Sequence, residues 1–257
     1  MNQEIGSNTP KILIFDIETT PILGYTWGIW EQNVIDIVKP WYMLCFAYKW
    51  LGESEVHVVA LPDFKERYAT NKEDDFELVV ALRNLFDQAD MIVAHNGDEF
   101  DIKKSNARFI AHGLVPPSPY VQIDTKKIAK RYFKFESNSL DKLGDYLGLG
   151  RKKETGGFGL WKGCMAGDES SWKLMISYNK QDVRLLEAIY NKLKPWHRTH
   201  PNVGHTADYA CPKCGSTDVQ KRGYARTSAG TFYQRFQCNG CGGWSQTRTM
   251  ENRTTLR

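Results

Sequence analysis

No apolar run in this chain approaches the roughly 20 residues that a membrane-spanning helix requires. The first residues, MNQEIGSNTPKILIF, carry no basic start followed by an apolar stretch and a small-residue cleavage site. No secretory signal is read there, and a cytoplasmic location is the expectation. There is no internal repeat and no low-complexity tract, so nothing in the pattern calls for a repeat architecture or a disordered tail. What remains is ordinary for a soluble globular chain: 257 residues, 41% hydrophobic and 25% charged, with room for one large domain or a medium domain and an appendage.

Charge is unevenly placed. From Thr206 to Arg257 eight Lys or Arg face three acids, a local excess of +5 in a chain whose net charge is +4, so the remainder stands at −1. A basic C-terminal segment on a slightly acidic body suits a polyanionic partner, although charge alone favours a merely solvated surface.

Hydrophobic patterning outlines the body. Lys11–Ile17 is a nearly continuous apolar run, as in a strand buried on both faces. Trp41–Trp50, Glu55–Leu61 and Met91–Ala94 also read as strands. Asp63–Asp75 is polar and read as loop. Helices are expected over Phe76–Ala89, over Phe100–His112 with Gly113 beyond it, from Asp124 and Thr125 to about Tyr132, over Ser139–Leu147, and over Ser170–Leu193 up to Pro195. Mixed strands with helices between and after them imply an α/β layered domain over residues 1–196. Residues 197–208, polar with Pro201 and Gly204, read as a linker, and 209–257 as a separate small unit.

Four acids carry the chemistry. Asp16 and Glu18 alternate along one strand and so project on the same side. Asp101 follows a strand and the turn His95-Asn96-Gly97, at the start of a helix, where the helix dipole favours a carboxylate. Tyr178 and Asp182 are spaced i, i+4 on one helical face. Each piece alone has a bland reading: a solvated strand end, a helix cap, a polar stripe. Together they would crowd like charges that repel unless cations sit between them. Hard divalent ions such as Mg²⁺ take oxygen ligands and keep positions open for water and substrate phosphate.

These segments resemble the three motifs of the DEDD superfamily of 3′–5′ exonucleases: Asp16-Ile17-Glu18, the stretch from Asn96 to Asp101, and Tyr178 four residues before Asp182. The resemblance covers about Lys11 to Leu193 and is closest to the proofreading domains of family B DNA polymerases and their stand-alone relatives. Position 177, where the histidine form would carry its histidine, is a serine, so the chain is similar to the tyrosine type. The resemblance implies an RNase H-like mixed sheet flanked by helices and two Mg²⁺ or Mn²⁺ held by Asp16, Glu18, Asp101 and Asp182. It implies that Tyr178 orients the attacking water, and that single-stranded DNA is favoured over RNA. The remaining residues leave no space for a polymerase, so the chain acts alone or joins a replication or repair protein. Asp124 is also often found near such a site, but here it reads rather as a helix cap.

The loop Gly150–Lys162 combines basic residues with Phe158 and Trp161. It reads equally as a strand clamp and as an ordinary flexible loop. Candidate nucleic-acid contacts are Asn96, Lys152, Lys153 and Trp161 in the body and Arg222, Arg226 and Arg235 in the appendage.

Cys211-Pro-Lys-Cys214 and Cys238-Asn-Gly-Cys241, 23 residues apart and each followed by glycine, have the spacing of a four-thiolate Zn²⁺ site. Strands over Asp218–Gly223 and Thr231–Gln237 would make a β zinc ribbon, which resembles ribbons of transposase-associated and transcription-related proteins. Two disulfides are the rival reading, disfavoured in a reducing compartment. The ribbon could bind nucleic acid or dock a protein. Cys45 reads as a small core residue, Cys164 has no partner by spacing, and His95 reads as structural.

Two other classes compete with the exonuclease reading. One is a binding protein with an inactive nuclease fold, against which the complete acid set argues. The other is a transposase or integrase, whose late glutamate is missing from this pattern.

Overall fold

The computed structural model describes residues 9–30, 32–204 and 209–249. The start of the chain, part of the expected linker (205–208) and the end of the expected ribbon (250–257) lie outside the described residues. The chain divides into a compact unit over Lys11–Ile189 and a second that takes in the chain from Tyr190 on.

The first unit is built from β1 (Ile12–Thr19), β2 (Leu23–Tyr25), β3 (Asp36–Lys39), β4 (Met43–Trp50), β5 (His57–Ala60), α1 (Lys65–Thr70), α2 (Phe76–Gln88), β6 (Met91–Ala94), α3 (Asp101–Ala111), β7 (Val121–Asp124), α4 (Thr125–Tyr132), α5 (Leu140–Tyr146), α6 (Gly159–Ala166) and α7 (Glu169–Leu193) up to Ile189. Its main sheet runs β5-β4-β1-β6-β7. β4 lies antiparallel to β1, and β6 lies parallel to it. The apolar run of β1 is explained by this central place: Leu13, Ile14 and Phe15 are fully buried because both faces are covered. Phe15 meets Phe86 of α2 edge-on at 5.0 Å, and Phe86 meets Phe109 of α3 at 5.6 Å, so one aromatic stack ties two helices to the central strand.

β1 outruns its parallel neighbour. Pairing with β6 ends at Ile14 opposite Val93, whereas pairing with β4 continues through Asp16 opposite Ala47 and Glu18 opposite Cys45. A bulge follows between Glu18 and Thr19. The last turn of strand is therefore bare on its β6 side, and that is where the acids stand.

The segment Asp63–Asp75, read as loop, starts at the last residue of a 3-10 turn over Leu61–Asp63 and holds helix α1. Helix α1 buries no residue, so it leaves no apolar periodicity to read; the Arg67–Asp74 ion pair, at 2.7 Å, braces it instead. β7 escaped notice for a similar reason, since only Ile123 and Asp124 of its four residues are buried. The loop expected over Gly150–Lys162 becomes helical from Gly159. β2 and β3, which no pattern announced, form a two-stranded ribbon with mostly exposed residues.

The second unit holds a three-stranded sheet, β8 (Val219–Arg226), β9 (Phe232–Cys238) and β10 (Trp244–Gln246), in the order β10-β9-β8. Both pairings are antiparallel. β10 follows directly on the second cysteine pair. Among the described residues no helix is long and apolar enough to cross a membrane.

Candidate active site

Alternation along β1 puts Asp16 and Glu18 on one side of the sheet, while α7, the long helix of this unit, brings up Asp182. One carboxylate oxygen from each of Asp16, Glu18 and Asp182 lies within 4.8 Å of the others. Asp101, the first residue of α3, reaches the same strand: its Oδ1 accepts the Ile17 amide at 3.3 Å, the donor left over where β6 stops. Residues 84 positions apart are thus joined through a gap in the sheet ladder.

The electrostatics follow from the crowding. Lost hydration, then the charges of Asp101, Glu18 and Asp182, hold the Asp16 carboxyl well above the usual range. Glu18 is pushed up to about 8, first by burial and then by Asp182. Asp101 is pushed up to about 7, mainly by burial, against the pull of the Ile17 amide. Asp182, fully buried, is raised by burial and restrained by Lys152. Among the described residues, Oδ1 of Asp182 has no hydrogen-bond partner. A buried carboxylate oxygen without a donor, beside two more acids, fits a divalent cation, and the donor set is the all-oxygen one that Mg²⁺ and Mn²⁺ prefer. Asp16, Glu18 and Asp182 could hold such an ion, with Asp101 at its edge.

Tyr178 projects from α7 on the same face as Asp182 and is 8% exposed. Burial and the neighbouring carboxylates raise its hydroxyl far above its ordinary pKa, so it stays protonated. Lys152 approaches from the segment after α5. Its ammonium donates to the Tyr178 hydroxyl at 2.7 Å and pairs with Asp182 Oδ2 at 2.5 Å. Burial disfavours the charge of Lys152, but Asp182 more than offsets this and the amine is held protonated. Trp161, on α6, lies edge-on to Tyr178 at 6.2 Å.

One residue of this cluster was not read from the sequence. Asn179 is fully buried, and its Nδ2 donates to Asp16 Oδ2 at 2.7 Å, while its Oδ1 accepts from Cys45 Sγ at 3.7 Å. The only signal was its place beside Tyr178 and three residues before Asp182.

The remaining candidates lie as follows. Asn96 has a left-handed backbone (φ 68°), and its amide donates to Asp124 at 3.0 Å. Asp124 caps α4 through the amides of Lys126 and Lys127, the role read for it. Lys153 donates to Ser177 at 2.8 Å. Arg222 is exposed on β8, Arg226 stacks over Phe232 at 4.4 Å, and Arg235 lies 5.4 Å from the Trp244 ring centre. His95 bonds Thr125 and the Asn138 carbonyl, each at 2.9 Å, and burial lowers it to about 4, so it is a neutral structural histidine. Cys45 and Cys164 are buried thiols.

In the second unit the four sulfurs of Cys211, Cys214, Cys238 and Cys241 lie within 4.8 Å of one another, and all are free thiols. The Cys211–Cys241 and Cys214–Cys238 separations are 3.7 and 3.6 Å. Zn–S bonds of about 2.3 Å give a regular tetrahedron with edges of about 3.8 Å, so the cysteines fit a zinc ion.

Residues 42–194, more than half of the chain, match the RNase_H_2 model of the RNase_H superfamily. The chain belongs to the RNase H superfamily. No curated protein matches it. Membership in the RNase H superfamily supports a nucleic-acid-cleaving enzyme that uses divalent metal ions, which agrees with the acid cluster. The matched span contains Asp101, Tyr178 and Asp182 and begins after Asp16 and Glu18. For this RNase H-like chain the strand acids are therefore placed by geometry, through the β1–β4 register and the Ile17–Asp101 bond.

Proposed function

We propose that the protein is a tyrosine-type 3′–5′ exonuclease that hydrolyses single-stranded DNA with two divalent metal ions. The observation that carries this reading is the meeting of Asp16, Glu18 and Asp182, from two distant segments, within one ion's reach, with Tyr178 one helical turn before Asp182. When bound, such ions polarise the phosphoryl oxygens and make water a competent nucleophile.

The chain's own groups do the rest. Asp16, Glu18, Asp101 and Asp182 supply the oxygen donors, and Asn179 fixes the rotamer of Asp16 by its 2.7 Å bond. The Tyr178 hydroxyl, kept protonated by its surroundings, orients a water rather than removing its proton. Lys152 places a fixed positive charge beside Asp182, where negative charge grows as the phosphodiester is attacked. Trp161 packs against Tyr178 and narrows the space around it. Cys211, Cys214, Cys238 and Cys241 would hold a structural Zn²⁺, which would supply folding energy to the C-terminal β region.

The test uses matched end-labelled DNA and RNA strands, with the 3′ end free or blocked, and closed circles, incubated with Mg²⁺ or Mn²⁺. Mononucleotides released from free 3′ ends of linear DNA support the reading. Cut circles would mark an endonuclease or transposase, preferential digestion of RNA an exoribonuclease, and retention without cleavage a binding protein.

A further inference from the structure

Lys104 stands three residues after Asp101 on α3 and is partly buried. Its ammonium lies 3.9 Å from the centre of the Trp41 ring and 5.1 Å from that of Phe100. It also donates to the Thr19 hydroxyl at 3.4 Å, at the end of the strand that carries Asp16 and Glu18. Two rings and a hydroxyl thus hold the cation where α3 meets the bare end of β1.

What this cation lacks is a carboxylate. Its neighbours on the helix are compensated. Lys103 pairs with Glu99 at 2.5 Å. Arg108, whose guanidinium lies 5.7 Å from the centre of the same Trp41 ring, donates to the buried Asp75. Lys152, the cation on the α7 side of the site, pairs with Asp182. Asp101 turns its own carboxylate away from Lys104, onto the Ile17 amide. Among the described residues no carboxylate offsets Lys104, and burial lowers it from the ordinary lysine range.

A lysine on a flexible stem normally carries its ammonium out to water. Here the rings keep it at one point, and in exchange for lost hydration it receives only the weaker attraction of aromatic faces. An arriving anion completes such a site. Beside a cluster of acids that would hold divalent ions for a nucleic-acid-cleaving enzyme, the anion at hand is a phosphate of the strand. An ammonium meets it as a point charge, which sets the register of the strand and reads no base.

We propose that Lys104 binds a backbone phosphate of the substrate strand, at a linkage close to the one cleaved, and that Trp41, Phe100 and Thr19 hold its ammonium in place. The proposal deepens the nuclease reading by naming a phosphate subsite outside the metal ligands, and it rests on that reading for the kind of anion.

The test is made on the full chain, in buffer without added Mg²⁺ or Mn²⁺. Binding of a labelled oligothymidylate of about 12 nucleotides is followed by anisotropy at several salt concentrations. Lys104→Met keeps the apolar stem and removes the charge, and it is expected to bind about tenfold more weakly. Its log–log salt slope should flatten by about 0.7, the share of one phosphate neutralised on a single strand. Lys104→Arg keeps the charge and the ring contacts and should bind nearly as the wild type does. The linkages nearest the 3′ end are then replaced, one at a time, by neutral methylphosphonates. At one linkage the replacement should weaken binding to the wild type and have no further effect on Lys104→Met. Circular dichroism checks the fold, and if the Met variant is unfolded, Lys104→Gln takes its place in the same comparison.

Unchanged affinity and salt slope in the folded variant would overturn the proposal. So would a loss of affinity in which every methylphosphonate costs the same in wild type and variant, since Lys104 would then only brace the two rings. The two readings fail separately. A wild-type chain that binds the strand through Lys104 but leaves its ends intact with Mn²⁺ keeps the subsite and sinks the nuclease. A chain that digests DNA with the same KM in Lys104→Met as in the wild type does the reverse.

Discussion

Asp182 stands at the centre of the acid cluster, paired with Lys152 through one oxygen and, among the described residues, without a hydrogen-bond partner at the other. Asp16→Asn and Asp182→Asn are expected to abolish cleavage while strand binding survives, measured by product release and anisotropy on the same preparations. Asn179→Ala leaves every acid in place and removes only the bond that orients Asp16, so a loss of about 10- to 100-fold in activity or metal affinity is expected. Tyr178→Phe should lose less than either acid variant, and an unaltered rate would remove Tyr178 from the mechanism.

The raised carboxyls also set a pH dependence of stability for the metal-free protein. Asp101 and Glu18 bind protons up to about pH 7 and 8 when folded, but only to their ordinary values near 4 when unfolded. The folded state therefore holds more protons across that window, and stability falls as pH rises from about 4 to 8. The Tm of metal-free protein should drop over this interval, and Mn²⁺ should restore most of the loss at pH 8. A flat Tm would mean that the acids do not crowd as described. The acids themselves were legible because a strand's period of two and a helix's i, i+4 repeat are local rules. Lys152 was legible only as a loop cation, since nothing local connects it to Tyr178, 26 residues later.

The way elements pack is tuned at a few points. Helix α5 lies close against α7 because Gly144 has no side chain: a Cβ there would lie 2.7 Å from Leu185 Cδ1 and 2.5 Å from the Gly150 carbonyl. That contact seats the start of the segment that carries Lys152. Gly144→Ala is expected to cost about 1–3 kcal/mol in urea denaturation. It should lower kcat through displacement of Lys152, whereas a stability loss with unchanged kcat would show that the two are independent.

Helices α2 and α3 are joined to β4 through Asp75, which is fully buried, accepts the Met43 amide at 2.8 Å and meets Arg108 and His112. Asp75→Ala would strand the Arg108 charge and should destabilise by about 3–5 kcal/mol, read from the urea midpoint. Elements with a buried stripe, such as α2 and α7, were visible in the sequence to within a residue or two. Those held by ion pairs or by sheet edges, such as α1 and β7, were not, because their stability is not written in apolar spacing.

The two units face different folding problems. The body has an apolar core around β1, whereas about 45 residues around the cysteines bury too little to fold without help. Cys211→Ser/Cys214→Ser is expected to release the zinc and unfold the C-terminal strands, seen by metal analysis and circular dichroism. KM for long strands should then rise while kcat at saturation is kept. Loss of kcat as well would mean that the cysteine region contributes to the chemistry itself.

The elements with buried apolar stripes, such as β1, β4, α2 and α7, the acids of β1 and α7, the capping role of Asp124 and the four-cysteine set were determined by sequence alone, because each depends on spacing within a short stretch. The bond from Ile17 to Asp101 across 84 positions, the hold of Asn179 on Asp16 across 163 and the seating of Lys104 on the Trp41 ring were decided only by tertiary structure. Such contacts depend on where a ladder ends and which helix crosses it, and no local periodicity records that.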